Sequence, residues 1–147
     1  MNKMNKSLKV SKSIEINSSE EKVWDALTNP EKIKIYLFGT ETITDWRIGS
    51  PIIFQGHYEG GKYIDKGNIL ENTTHETLKY DYWSEFYKIE DIPDNYSIIT
   101  YHIEKIYNNK LKLTWTQEGF ASEAGQQHSE NTLYGMLEQI KILIENE

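Results

Sequence analysis

The sequence predicts an α+β fold in which an antiparallel sheet of seven strands is covered by a long C-terminal helix, with two short helices after the first strand. Three observations carry this. Between residues 41 and 118 apolar and polar side chains alternate with period two, and turn-forming clusters at Gly49-Ser50-Pro51, Gly60-Gly61, residues 72–75, residues 91–95 and Asn108-Asn109 cut the run into six strands. From residue 122 to 147 the period changes, and Leu133, Leu137, Ile140 and Ile144 recur at helical spacing. The connections between the alternating segments are of hairpin length, which pairs neighbours antiparallel.

The elements follow in order. Residues 8–17 alternate Leu8, Val10, Ile14 and Ile16 with polar neighbours, a strand. Ser18-Ser19-Glu20-Glu21 reads as a capping box, the Ser18 hydroxyl accepting a backbone N–H while Glu21 reaches back. A short helix then carries Val23, Trp24 and Leu27 on one face. Asn29-Pro30 starts a second, with Asn as N-cap and Pro at the first helical position, running to about residue 37. In the sheet, Leu78, Tyr80 and Tyr82 share one face of their strand, as do Ile99, Tyr101 and Ile103, and Leu111, Leu113, Trp115 and Gln117. A flexible stretch over residues 1–7 is expected ahead of a single domain over residues 8–147.

Bulk properties narrow the function classes. A chain of 147 residues can bury a real core. The net charge of −7 argues against a nucleic-acid groove, which leans on Lys and Arg to neutralise phosphates. Without cysteine there is no disulfide framework, thiolate metal site or thiol nucleophile, which fits a reducing, cytoplasmic setting. No apolar run is long enough to insert into a membrane, and residues 1–10 carry charge without the apolar region of a signal peptide.

Motifs divide into those that structure explains and those that point to a site. Gly56 to Lys62 matches the spacing of a phosphate-binding loop, but Tyr63 stands where a Ser or Thr would hold magnesium and both flanks are strands, so a hairpin turn is expected. His57, His75 and His102 fall on outward parities or a turn, and His128, near the start of the long helix, is the histidine placed to look into a cavity mouth. No metal-ligand spacing emerges. Glu59, Asp65, Glu71, Asp81 and Glu85 read as a solvated sheet face, with Glu71 singled out because it shares a parity with Gly67 and Ile69. The aromatic set Trp46, Phe54, Tyr80, Tyr82, Trp83, Tyr101 and Trp115 carries the strongest functional signal. Part of it is core packing, yet several tyrosines on one face need hydroxyl partners and make a mixed apolar and polar wall suited to small amphipathic ligands. At the Gly49-Ser50-Pro51 corner, Trp46 is expected at the cavity edge and Arg47, on the opposite face, in a surface ion pair.

Five blocks, Val23 to Ile33, Asp45 to Gly56, Lys66 to Glu71, Leu78 to Ser84 and His128 to Glu145, occur in an order and spacing that resemble the START-like, birch-pollen-allergen-like (SRPBCC) superfamily, and within it the branch named for the activator of heat-shock protein 90 ATPase homologues. The resemblance covers the chain from about residue 13 to its end. The chain departs from the pattern at Leu133, where the helix usually has Trp, and at Ser50, where a second Gly often follows Gly49. The resemblance implies a helix-grip fold, a curved sheet holding the C-terminal helix with an apolar cavity between them. Function does not follow from the fold alone. The first expectation is non-catalytic binding of a small hydrophobic or amphipathic molecule. Its wall would be Trp46, Phe54, Tyr80, Tyr82, Trp83, Tyr101 and Trp115, its roof Leu133 and Leu137, and His128 a polar contact near the mouth. No catalytic residue, metal or cofactor is expected. The alternatives are a co-chaperone-like module with a chaperone ATPase as partner, and a cavity-based hydrolase or dehydratase, for which no nucleophile, base and acid assemble.

Overall fold

The computed structural model describes residues 3–147. Seven antiparallel strands form one sheet, in the spatial order β1-β7-β6-β5-β4-β3-β2. The strands β2 (Glu41–Ile43), β3 (Pro51–Tyr58), β4 (Gly61–Thr73), β5 (Thr77–Tyr82), β6 (Ser97–Tyr107) and β7 (Lys110–Phe120) run as a meander, and β1 (Asn5–Ile16) returns to pair with β7. The helices α1 (Glu20–Thr28) and α2 (Pro30–Tyr36) carry the chain from β1 at one edge to β2 at the other, and α3 (Glu123–Glu145) lies along β1. This is the helix-grip architecture that the sequence predicts.

Local chemistry accounts for the boundaries. The β3–β4 turn places Glu59 and Gly60 at positive φ, 49° and 78°, the twist a two-residue hairpin needs. Asn29 caps α2, its side-chain oxygen accepting the Glu31 N–H at 3.0 Å with Pro30 following. The α1 cap sits one residue later than expected: the Ser19 hydroxyl, not that of Ser18, accepts a backbone N–H, from Lys22 at 3.3 Å. At the other end, β1 begins at Asn5 and Met4 is buried, its N–H donating to Asn95 Oδ1 at 3.1 Å, so the stretch expected to be flexible is part of the sheet from Asn5 onward. Residues 1 and 2 of that stretch lie outside the described residues.

One glycine governs the seam beside the site. A Cβ on Gly67 would stand 1.7 Å from the backbone oxygen of Asp81, so β4 and β5 can approach this closely only without a side chain there. The Asp81 carboxylate completes the seam by accepting the Asn68 N–H at 2.7 Å.

The core lies between the inner sheet face and the helices. Leu133, Leu137, Ile140 and Ile144 of α3 join Val10, Ile14, Ile16, Leu111 and Leu113 from the adjoining strands. Val23, Leu27, Ile33 and Tyr36 close the other side, and the Tyr36 hydroxyl is satisfied by the Ala26 carbonyl at 2.9 Å. Polar clasps tie α3 to β1: Lys12 to Glu130 at 2.6 Å, and Lys141 to the Glu15 carbonyl at 2.6 Å. Exposed ion pairs of this kind add little to stability. Among the described residues no helix is long and apolar enough to cross a membrane.

Candidate functional site

Where α3 leaves the sheet uncovered, the inner faces of β3 to β7 line an open cavity of about 550 Å³. Strand alternation points Phe54, Tyr80, Tyr82, Tyr101 and Trp115 into it, one or two per strand, with Ile99 and Gln117 between them. The chain between α2 and β2 contributes Leu37, Phe38 and Thr40, and α3 contributes Met136. Phe54 packs against Tyr80 and Tyr82, with ring centroids 5.6 and 5.8 Å away. At the mouth stand three exposed rings: Phe38 at 84% exposure, Tyr58 at 59% and Phe86 at 58%. Tyr58 and Phe86 meet edge to face at 5.8 Å.

The polar groups in this wall are few and placed. Tyr63 lies over Gly56, its partner across β3 and β4, in space that a Cβ at position 56 would take, and its hydroxyl reaches Thr40 Oγ1 at 2.5 Å. Gln117 Nε2 donates to Ser97 Oγ at 3.1 Å and to the Gly119 carbonyl at 3.1 Å, and Ser97 Oγ also meets the Tyr87 hydroxyl at 2.8 Å. Burial pushes the Tyr87 hydroxyl up to about 12. Burial likewise raises the hydroxyls of Tyr80 and Tyr101, which border the cavity, above the ordinary phenol range.

Asp65 is the acid in the wall. It is 7% exposed, and its Oδ2 accepts a hydrogen bond from the Tyr82 hydroxyl. Its Oδ1 is buried with no hydrogen-bond partner. Burial lifts the Asp65 carboxyl above the usual carboxylate range, against the pull of the Tyr82 and Ser84 hydroxyls, and Glu85 adds to the rise. The same contact helps to hold the Tyr82 hydroxyl protonated, well above its ordinary value, burial being the larger cause.

The sequence-predicted residues separate into two groups. Phe54, Tyr80, Tyr82, Tyr101 and Trp115 line the cavity together. Trp46, Trp83, His128, Leu133 and Leu137 do not. Trp46 turns the corner at φ 65°, a left-handed conformation stabilised where Asn72 Nδ2 donates to its carbonyl at 2.8 Å, and its ring packs against the core with Ile52 and Leu78. Trp83, one residue beyond Tyr82, points the other way and donates Nε1–H to the Ile89 carbonyl at 3.3 Å, with Lys66 over its ring. His128 is exposed on α3, five residues before Leu133 and so well around the helix from it. Leu133 and Leu137 are core, and Met136 is the α3 side chain that reaches the cavity. Arg47 is exposed; rather than pairing across the surface, its backbone N–H donates to Asp45 Oδ1 at 2.9 Å.

Asp65 is the residue that sequence reasoning missed. The parity that singled out Glu71 holds for Asp65 as well, since 65, 67 and 69 alternate along β4 and are all buried. For Glu71 the parity breaks, because a register irregularity lies between Ile69 and Glu71, and its carboxylate accepts from Thr73 within its own strand at 3.1 Å. Among the described residues no group of three His, Asp or Glu side chains is gathered to hold a metal ion.

A family model described as Activator of Hsp90 ATPase homolog 1-like protein matches residues 17–145. The chain is similar to the protein ChR145 from Cytophaga hutchinsonii, whose solution structure is 37% identical in sequence, with 97% of each chain covered and a TM-score of 0.82. It shares its fold with PFC0360w, an HSP90 activator from Plasmodium falciparum, at 15% identity, 95% of this chain and 97% of that one, and a TM-score of 0.74. The Aha1 dimer from Colwellia psychrerythraea is a further match in fold, at 16% identity, 93% and 96% coverage, and a TM-score of 0.72. No curated protein matches the chain.

Proposed function

Since the chain belongs to the Activator of Hsp90 ATPase homolog 1-like family, we propose that its domain serves as a binding module, holding a small hydrophobic or amphipathic molecule in the cavity between sheet and helix without transforming it. The observation that carries this reading is the cavity itself: about 550 Å³, within the range of small-molecule sites, aromatic over most of its wall and supplied with a few fixed polar groups. Its acid, Asp65, has a tyrosine for its hydrogen-bond partner, an arrangement suited to orienting a ligand. Trp115 in the wall provides the readout. A panel of lipids, flavonoids, fatty acids and aromatic amphiphiles should contain members that change tryptophan fluorescence saturably and raise Tm, with the fluorescence change much reduced in Trp115→Phe. No saturable change in either signal across the panel would sink the proposal.

A second reading has its own observation. Phe38, Tyr58 and Phe86 stand exposed together at the mouth, an aromatic rim of the kind that also serves protein contacts, and the family's description names a chaperone ATPase. In that case, added protein alters the ATPase rate of an Hsp90-type chaperone and Phe38→Ala with Phe86→Ala abolishes the effect. An unchanged rate counts against it.

A further inference from the structure

We propose that the cavity selects a protonated amine, its ammonium seated against Asp65 and its apolar or aromatic body among Phe54, Tyr80, Tyr101 and Trp115. The inference rests on the binding role proposed above and names the ligand class.

The charge pattern of the wall is one-sided. Asp65 lines the cavity, and no Lys, Arg or His does. The lysine next to it in β4, Lys66, points to the opposite face, where it pairs with Asp91 at 2.5 Å and covers the Trp83 ring. The other charge acting on Asp65 is a second acid, Glu85. A carboxylate or phosphate entering this space would meet like charge and find no cationic side chain in the wall. A cation meets attraction from a carboxylate that is itself buried in the wall.

Hydrogen bonding points the same way. Oδ2 accepts from Tyr82, and Oδ1 is buried with no partner at hydrogen-bond geometry, the Ser84 hydroxyl being the other donor near the carboxylate. A buried carboxylate oxygen without a donor is costly, and native proteins rarely leave one. Asp65 borders the cavity, and the donors that face its carboxylate are neutral hydroxyls, Tyr82 and Ser84, so a charged donor delivered there adds what the protein does not supply. An ammonium carries three donors and a full charge. The rings around it add a second, independent preference, because aromatic faces attract cations and stack on apolar bodies. The protein's net charge of −7 draws cations toward the mouth before any contact forms.

Three matched probes test the inference: 4-phenylbutylamine, 4-phenylbutanol and 4-phenylbutanoate, which differ only in the head group. Tryptophan fluorescence and isothermal titration at pH 7 should give an affinity at least tenfold higher for the amine than for the alcohol, and weaker binding still for the carboxylate. In Asp65→Asn the preference for the amine over the alcohol should disappear, the amine losing at least tenfold. Equal affinities on the parent protein, or tightest binding of the carboxylate, overturn the amine assignment and leave the cavity's binding role standing. No saturable response to any of the three, together with none across the wider panel, overturns both. Should Asp65→Asn fail to fold, the ranking of the three probes on the parent protein still decides.

Discussion

The hydroxyl of Tyr82 in β5 donates to Asp65 Oδ2 in β4, across a seam that Gly67 keeps narrow, and leaves Asp65 Oδ1 buried without a partner. A carboxylate half-satisfied in an aromatic wall has consequences for stability as well as for binding. Burial raises the Asp65 carboxyl above its usual value of 3.8, with Tyr82, Ser84, Glu85 and Tyr87 as the titratable or hydroxyl groups around it.

The sign of the pH effect follows. Below pH 3.8 Asp65 is protonated in both folded and unfolded chains and contributes no pH dependence. Between 3.8 and its higher folded value the native protein binds more protons than the unfolded one, so this residue's contribution to stability falls as pH rises, and it levels off above that value. Chemical denaturation of the parent and Asp65→Asn from pH 3 to 7 should show the difference flat below 3.8, moving in the variant's favour as pH rises above it, and then levelling off. A flat difference, or one that moves toward the parent, refutes the assignment.

Removing the donor isolates the pair. Tyr82→Phe keeps the ring and its packing on Phe54 while removing the donor to Asp65 Oδ2 and leaving the Ser84 hydroxyl as the one beside the carboxylate. The expected cost at pH 7 is about 2 kcal/mol, the range for stranding a buried acceptor. The same substitution on an Asp65→Asn background should cost less than about 1 kcal/mol, since the stranded charge is gone. A double-mutant cycle by urea denaturation measures the coupling, and additive costs would show that the contact is energetically idle.

Gly67 and Gly135 predict opposite outcomes for one chemical change. Adding a methyl at Gly67 drives it into the Asp81 carbonyl and pushes β4 from β5, at a cost of about 3 kcal/mol, and it displaces Asp65 two residues away. Gly135 sits in the middle of α3, where an added Cβ meets nothing within 4 Å, so Gly135→Ala should stabilise by roughly 0.5–1 kcal/mol through helix propensity. Thermal unfolding of the two variants separates them.

The sequence revealed the architecture because the architecture is written in periods. Leu111, Leu113, Trp115 and Gln117 alternate and are all buried, and Ser122 caps α3 where the helical spacing begins, its hydroxyl accepting the Gly125 N–H at 3.0 Å. The cavity lining was legible only where periodicity speaks for it, in Phe54, Tyr80, Tyr82, Tyr101 and Trp115. Asp65 was hidden by its type, because acids in an acidic chain are read as solvated, although its parity with Gly67 and Ile69 marks it as inward. Trp46 was misplaced because a left-handed residue at a corner suspends strand parity, and no period records a positive φ. On α3 the error was one of phase: the stripe through Leu133 and Leu137 faces the core, and the cavity receives the residue about 100° around from Leu137, Met136.

That phase can be tested directly. Leu137 is fully buried in the core, so Leu137→Ala removes packed methyl groups and should cost about 3 kcal/mol by urea denaturation. Met136 is partly buried at the cavity wall, and truncating it gives up less packing, so Met136→Ala should cost less than about 1 kcal/mol. Binding reverses the order. Leu137→Ala leaves the cavity wall intact, and any aromatic probe the parent binds should retain its affinity below the variant's unfolding transition. Met136→Ala widens the cavity and removes a flexible apolar contact, so the same probe should bind several-fold more weakly, with a bulkier homologue recovering part of the loss. If instead Leu137→Ala weakens binding in the folded protein and Met136→Ala does not, the cavity extends under the core face of α3, and the helix roof belongs where the sequence alone had put it.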